Sequence, residues 1–208
     1  DQLAALLRPP RHNPTHLFVV PNQGRQCGYQ HQVDADSRQQ RVIMFRVGII
    51  GPESTGKSTL AAYLAHRYGG VLVPEYAREY METRACASAY TYEDVVNIAR
   101  FQVQQLEELS DAYTKGIPRV YKNEVIFFDT ELIITKVWFL HKYGECPAFV
   151  EEALQKYPMD VYLLCYPDMA WEPDPVRENP NIREYLFDWY EREIQALNIP
   201  YYIIRHDV

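Results

Sequence analysis

The sequence predicts a doubly wound α/β domain, and three observations carry that prediction. From Arg46 onward, short β-branched runs alternate with longer stretches of helical period. The strand runs are continuously apolar rather than alternating, the pattern of strands buried on both faces of a parallel sheet. A glycine-rich turn, GPESTGKST, separates the first of these strands from the first helix.

RVGII is the first strand, and GKSTLAAYLAHRY has the 3.6-residue apolar period of a helix. GGVLVPE is a second strand, entered through Gly-Gly and closed by proline. A helix is expected over YAREYMETRA and a longer one over YEDVVNIARFQVQQLEELSDAYTK, stopped by Gly116 and Pro118. EVIFFDT is the third strand, followed by helices over ELIITKVWFLHKYG and CPAFVEEALQKYP. DVYLLCY is the fourth. Prolines make PDMAWEPDPVRENPN a loop, IREYLFDWYEREIQALN is helical, and PYYIIRH is the fifth strand. The expected core is therefore a five-stranded parallel sheet with helices on both faces.

Residues 1–40 differ: Pro, Gln, His and Arg cluster there, and only HLFVV has strand character. They read as an irregular arm or linker, and residues 41–208 as the regular domain. A formal net charge of −7 argues against a surface built for phosphate backbones, so no nucleic-acid partner is expected. It leaves room for a local electropositive pocket that takes a small anion. Cys27, Cys86, Cys146 and Cys165 are widely spaced with no CxxC, which reads as free thiols in a reducing compartment. No run is long and apolar enough to span a membrane, and no signal-peptide order is seen, so a cytoplasmic location is expected. The sequence specifies no oligomeric state.

Gly51 to Ser58 satisfies G-x-x-x-x-G-K-[ST], the P-loop pattern, in the strand-then-helix setting that the motif requires. Its glycines let successive N–H groups converge on phosphate oxygens, and the helix that follows points its positive end at the same place. Gly51, Glu53, Ser54, Thr55, Gly56, Lys57, Ser58 and Thr59 are thus the expected ATP-binding residues. Lys57 would bridge the β- and γ-phosphates, Ser58 would offer its hydroxyl to Mg²⁺, and Thr59 would lie near the α-phosphate.

Asp129 ends the strand VIFF, where an acidic group would hold Mg²⁺ directly or through water, or would cap the next helix. Glu75, Tyr76, Arg78 and Glu79 cluster after the second strand. A carboxylate there would accept a proton from an attacking hydroxyl, with Arg78 steadying it or a phosphate; the alternative is a solvated helix start carrying a charge pair. The loop 167–181 holds Trp171, Asp174 and Arg177. A proline-stiffened loop with an arginine before a helix reads either as a lid over the nucleotide or as a plain connection. Trp171 would stack on an aromatic ring of the second substrate. His141 reads as a helix-surface residue, and His12, His16 and His31 lack metal-ligand spacing.

Taken together, GPESTGKST, PEYARE, DTELIITKVW, YPMDVYLL and WEPDPVRE resemble the ribosylnicotinamide kinase domain of the NadR type, a branch of the P-loop kinases, from about Phe45 to Ile204. That resemblance implies ATP-dependent phosphorylation of the 5′-hydroxyl of nicotinamide riboside, giving nicotinamide mononucleotide. It also implies that Glu75, Tyr76, Arg78 and Asp129 line the riboside and metal site, with Trp171, Asp174 and Arg177 in the lid. Only the irregular arm precedes the domain here, so adenylyl transfer and repression are not implied. Catalysis would fall to Lys57, Glu75, Asp129 and Arg177, with the choice of base between the two carboxylates open. Two other readings stand beside it: a regulatory ATPase switch, and a kinase for another nucleoside.

Overall fold

The structure is a computed structural model that describes residues 19–21, 44–83, 90–114 and 125–206. Cys27, Cys86, the arm histidines and the helix stop at Gly116 and Pro118 lie outside the described residues. The elements run β1 (Val19–Pro21), β2 (Phe45–Ile50), α1 (Lys57–Tyr68), β3 (Val71–Val73), α2 (Tyr76–Glu82), α3 (Tyr92–Thr114), β4 (Val125–Asp129), α4 (Leu132–Tyr143), α5 (Ala148–Lys156), β5 (Val161–Cys165), α6 (Arg183–Leu197) and β6 (Tyr201–Ile204).

The strand order is β1-β6-β5-β2-β4-β3. The five strands expected from the apolar runs are present and parallel, with Val47 level with Phe127 on one side and Val161 on the other. One addition was not foreseen: three residues of the arm, Val19–Pro21, pair antiparallel with β6 at the sheet edge.

Non-alternating strands need cover on both faces, and the packing supplies it. On one face Val47, Ile49, Phe127, Leu163 and Cys165 meet Ala61 and Leu64 of α1. On the other, Ile50, Ile126, Phe128, Tyr162 and Leu164 meet α3, α4, α5 and α6 through Val95, Ile133, Val137, Val150 and Ile194. Each large aliphatic side chain buried this way contributes about 1.5–3 kcal/mol of transfer free energy.

Helix ends follow their residues. α1 stops at Gly69 in the left-handed region, φ 62°, and α4 at Gly144, φ 77°. Asp129 does not cap α4. Glu131 does, its side chain accepting from the Ile133 N–H at 2.9 Å. Glu131 is buried, and burial pushes its carboxyl up to about 7 although the Ile133 and Leu132 amides and the Tyr162 hydroxyl donate to it.

Because β2 lies between β4 and β5, its chain exit is where helices switch faces of the sheet. The turns after β2, β3, β4 and β5 all open at the carboxyl ends of the parallel strands, the region where such sheets bind ligands. No helix among the described residues is long and apolar enough to cross a membrane.

Candidate functional site

The turn after β2 can only be built from the residues found there. Gly51 has φ 149°, and a Cβ on it would sit 2.6 Å from the Cys165 carbonyl oxygen, so a side chain is excluded. Gly56, at φ 71°, is the residue before α1, and Ser54 is also left-handed at φ 58°. Thr55 is buried and its hydroxyl donates to the Pro52 carbonyl at 2.8 Å, which braces the loop from inside. The backbone between β2 and α1 therefore forms a tight concave bend over a twelve-residue helix that carries no acidic residue in its first turn. Lys57 donates to the Pro52 carbonyl at 2.6 Å across the same bend.

Asp129 comes in from the end of β4, buried against the start of α1. Burial raises its carboxyl above the ordinary range, and a hydrogen bond from Ser58 with the charges of Lys57 and Arg78 pulls it back down. Its Oδ1 atom is buried with no hydrogen-bond partner. A buried carboxylate oxygen left without a partner is costly, and a cation beside Ser58 would satisfy it. Among the described residues there is no cluster of three or more His, Cys, Asp or Glu suited to a metal, so a cation there would take its remaining ligands from phosphate and water.

Glu75 is the residue before α2. Burial raises its carboxyl; Lys57 and Arg78 lower it, and Asp129 and Glu53 raise it further. It thus shares one electrostatic neighbourhood with the P-loop lysine and Asp129. Arg78 reaches Glu75 at 3.9 Å and Asp174 of the 167–181 loop at 3.0 Å.

A cleft open to solvent leads away from the loop. Gly51, Lys57, Glu75, Arg78 and Thr130 line it together with the apolar and aromatic side chains of Tyr90, Ile134, Val137, Trp138, Leu186 and Tyr190. Sequence reasoning missed Tyr90, Trp138 and Tyr190, and it read His141, which also lines the cleft, as surface only. Trp138 donates to the Tyr90 hydroxyl at 2.8 Å, and that hydroxyl donates to Glu178 of the 167–181 loop at 2.6 Å.

Several expected positions differ. Tyr76 stacks on Phe101 of α3, with ring centroids 3.7 Å apart, and is not among the cleft's lining residues, because its place one residue after Glu75 turns it to the other side of α2. Trp171 and Asp174 do not line the cleft either: Trp171 lies beneath the Arg183 guanidinium, 5.9 Å away, and Asp174 is taken by Arg78. Arg177 points to the P-loop, 3.4 Å from the Ser54 hydroxyl. Glu53 and Ser54 turn toward the 167–181 loop: Glu53 accepts from the amides of Glu178 and Asn179, and the Ser54 hydroxyl accepts from the Glu172 amide. Ser58 and Thr59 are exposed at the start of α1.

Residues 46–208 match the AAA domain family, a span that includes the P-loop, Glu75, Asp129 and the 167–181 loop. The chain belongs to that family. Among curated relatives, it is 32% identical over 134 residues to the trifunctional NAD biosynthesis/regulator protein NadR of Escherichia coli (strain K12), and equally so to that of Salmonella typhimurium. The matched stretch is 63% of this chain and 30% of each relative, so the chain spans under a third of those proteins. Among solved structures, a NadR protein in complex with NR superposes with a TM-score of 0.62 at 20% identity, covering 78% of this chain and 44% of that one. Thymidylate kinase from Ehrlichia chaffeensis gives 0.52 at 12%, covering 80% and 89%. Deoxyadenosine kinase from M. mycoides with bound dATP gives 0.51 at 13%, covering 79% and 93%. At these identities the likeness establishes the fold alone. The resemblance carried by PEYARE and DTELIIT is borne out by these relatives.

Proposed function

We propose that this AAA-family chain is an ATP-dependent kinase that phosphorylates the 5′-hydroxyl of nicotinamide riboside, giving nicotinamide mononucleotide and ADP. The observation that carries the reading is that Lys57 of the phosphate loop and Glu75 line one cleft together with aromatic and aliphatic side chains, among them Tyr90, Trp138 and Tyr190. A triphosphate gripped by the loop would present its terminal phosphate to a nucleoside lying in that cleft. The NadR relatives, named for NAD biosynthesis, and the NadR structure with NR support this acceptor.

The amides of the 51–56 bend and the Lys57 ammonium bind the polyphosphate. Ser58 and Asp129 would hold Mg²⁺, which would offset charge on the phosphate oxygens; the unpartnered Asp129 Oδ1 atom supports this placement. Of the two carboxylates left open by the sequence, Glu75 is the base: it lines the cleft, whereas Asp129 is buried against Ser58. Glu75 takes the hydroxyl proton as that oxygen bonds to the γ-phosphorus and the bond to the ADP oxygen breaks. Arg177, held over the loop, neutralises charge on the transferred group. Residues 41–208 make up the kinase domain with its lid at 167–181, and residues 1–40 an arm. Free thiols at Cys146 and Cys165 support a cytoplasmic setting.

The test is riboside-dependent ADP production with nicotinamide riboside, pyrimidine nucleosides and purine nucleosides in parallel. Turnover is expected with nicotinamide riboside. Phosphate release that needs no nucleoside would mark an ATPase switch, and turnover on a different nucleoside would reassign the acceptor.

A further inference from the structure

Glu53 sits inside the phosphate loop, yet a carboxylate is the wrong chemistry for a triphosphate. A carboxylate repels a polyanion and accepts hydrogen bonds, as phosphate oxygens do. Its partners are elsewhere. The Glu178 amide donates to Oε1 at 3.1 Å and to Oε2 at 3.2 Å, and the Asn179 amide donates to Oε2 at 2.9 Å. Hydrogen bonds to an ionised acceptor are the strong kind, and these cross 125 and 126 residues of sequence.

Glu178 also has a second attachment. Its side chain accepts from the Tyr90 hydroxyl at 2.6 Å and lies 3.5 Å from the Lys142 ammonium, which itself rests 3.5 Å from the centre of the Tyr90 ring. Tyr90 and Trp138 are walls of the acceptor cleft. One lid residue is thus tied by its backbone to the phosphate loop and by its side chain to the acceptor cleft. Arg177 is the residue just before it. The Arg177 amide donates to the Asp174 carbonyl at 3.0 Å, and Asp174 is in turn fixed by Arg78.

We propose that Glu53 is a positioning residue: its carboxylate latches the lid at Glu178 and Asn179, which sets Arg177 over the phosphate loop and makes the acceptor cleft and the triphosphate site close as one unit. The latch itself is independent of which acceptor binds; only its kinetic consequence rests on the kinase reading above.

The decisive measurement is residue-resolved amide hydrogen exchange on the full chain, comparing wild type with Glu53→Gln and Glu53→Ala. In Glu53→Ala, exchange at the Glu178 and Asn179 amides is expected to rise about tenfold or more, while β5 amides such as Leu163 keep their protection. Glu53→Gln, which retains one accepting oxygen, should fall between. In the kinetic arm, Glu53→Ala should raise KM for nicotinamide riboside several-fold or more, while affinity for magnesium and a non-hydrolysable ATP analogue stays within about threefold. Unchanged exchange at both amides overturns the latch. A loss of analogue affinity that matches the loss of turnover also overturns it, making Glu53 a nucleotide ligand instead. If wild type does not phosphorylate the riboside, the kinase reading fails, and the exchange result alone decides the latch.

Discussion

Arg78 donates to Asp174 at 3.0 Å, and so fastens the helix that follows β3 to the 167–181 loop, 96 residues further along the chain. Asp174 is held below the usual carboxylate range, first by the Val176 amide and then by Arg78. Half-exposed ion pairs contribute little to stability, about 0–1 kcal/mol, so this one should matter more for closure than for folding. Asp174→Asn is expected to leave the melting temperature within a few degrees and to raise KM for both substrates several-fold. Thermal unfolding alongside steady-state kinetics checks both halves.

Glu75 and Asp129 are expected to separate on mutation. Glu75→Gln should lower kcat by about 10²–10⁴-fold, the usual value of a positioned base, with the magnesium requirement unchanged. Asp129→Asn should instead raise the magnesium concentration needed for half-maximal rate. Because burial raises the Glu75 carboxyl, it is protonated at a higher pH than an ordinary glutamate. Activity should therefore fall with decreasing pH around a midpoint above 4.5, and pH–rate profiles of kcat/KM measure it.

Much of this site was legible in the sequence because its chemistry is local. GPESTGKST fixes the loop with contiguous residues, and Asp129 and Glu75 each end or follow a recognisable strand. The apolar cleft was not legible. Tyr90, Trp138 and Tyr190 come from separate elements, and each has a spacing that packing alone would explain. Nor does periodicity reveal contacts such as Glu53 with Glu178, which join residues 125 apart in sequence. Tyr76 was misplaced because a motif reports neighbours in sequence, whereas the ring's partner, Phe101, lies on another helix. HLFVV showed the strand character of Val19 and Val20, but its pairing with β6 escaped for a similar reason, since the partner strand lies at the far end of the chain.

Gly48 in β2 makes room for the ring of Tyr162, whose Cε1 would lie 2.5 Å from a Cβ at position 48. Tyr162 is buried and its hydroxyl donates to Glu131, so the ring is held from both sides. Gly48→Ala is expected to destabilise the fold by about 1–3 kcal/mol, the range for overpacking a well-filled core. A urea unfolding midpoint that does not move would contradict this packing account.

Glu131 links stability to pH. Its folded carboxyl titrates at about 7, above the unfolded value of 4.5, so its favourable contribution is complete below 4.5 and is lost as pH rises through about 7. A shift of this size corresponds to roughly 3 kcal/mol as an upper bound. Glu131→Gln, which stays neutral, should flatten the stability profile between pH 5 and pH 8. Denaturant titrations in metal-free buffer at those two values, for wild type and variant, check the slope.

Product analysis with γ-¹⁸O-labelled ATP is the most direct test of the whole account. With magnesium and nicotinamide riboside, mass spectrometry should find the label on nicotinamide mononucleotide in amounts equal to the ADP formed, and Lys57→Ala should abolish that product while remaining folded. Label recovered only as inorganic phosphate, or labelled mononucleotide made at the wild-type rate by Lys57→Ala, would contradict it.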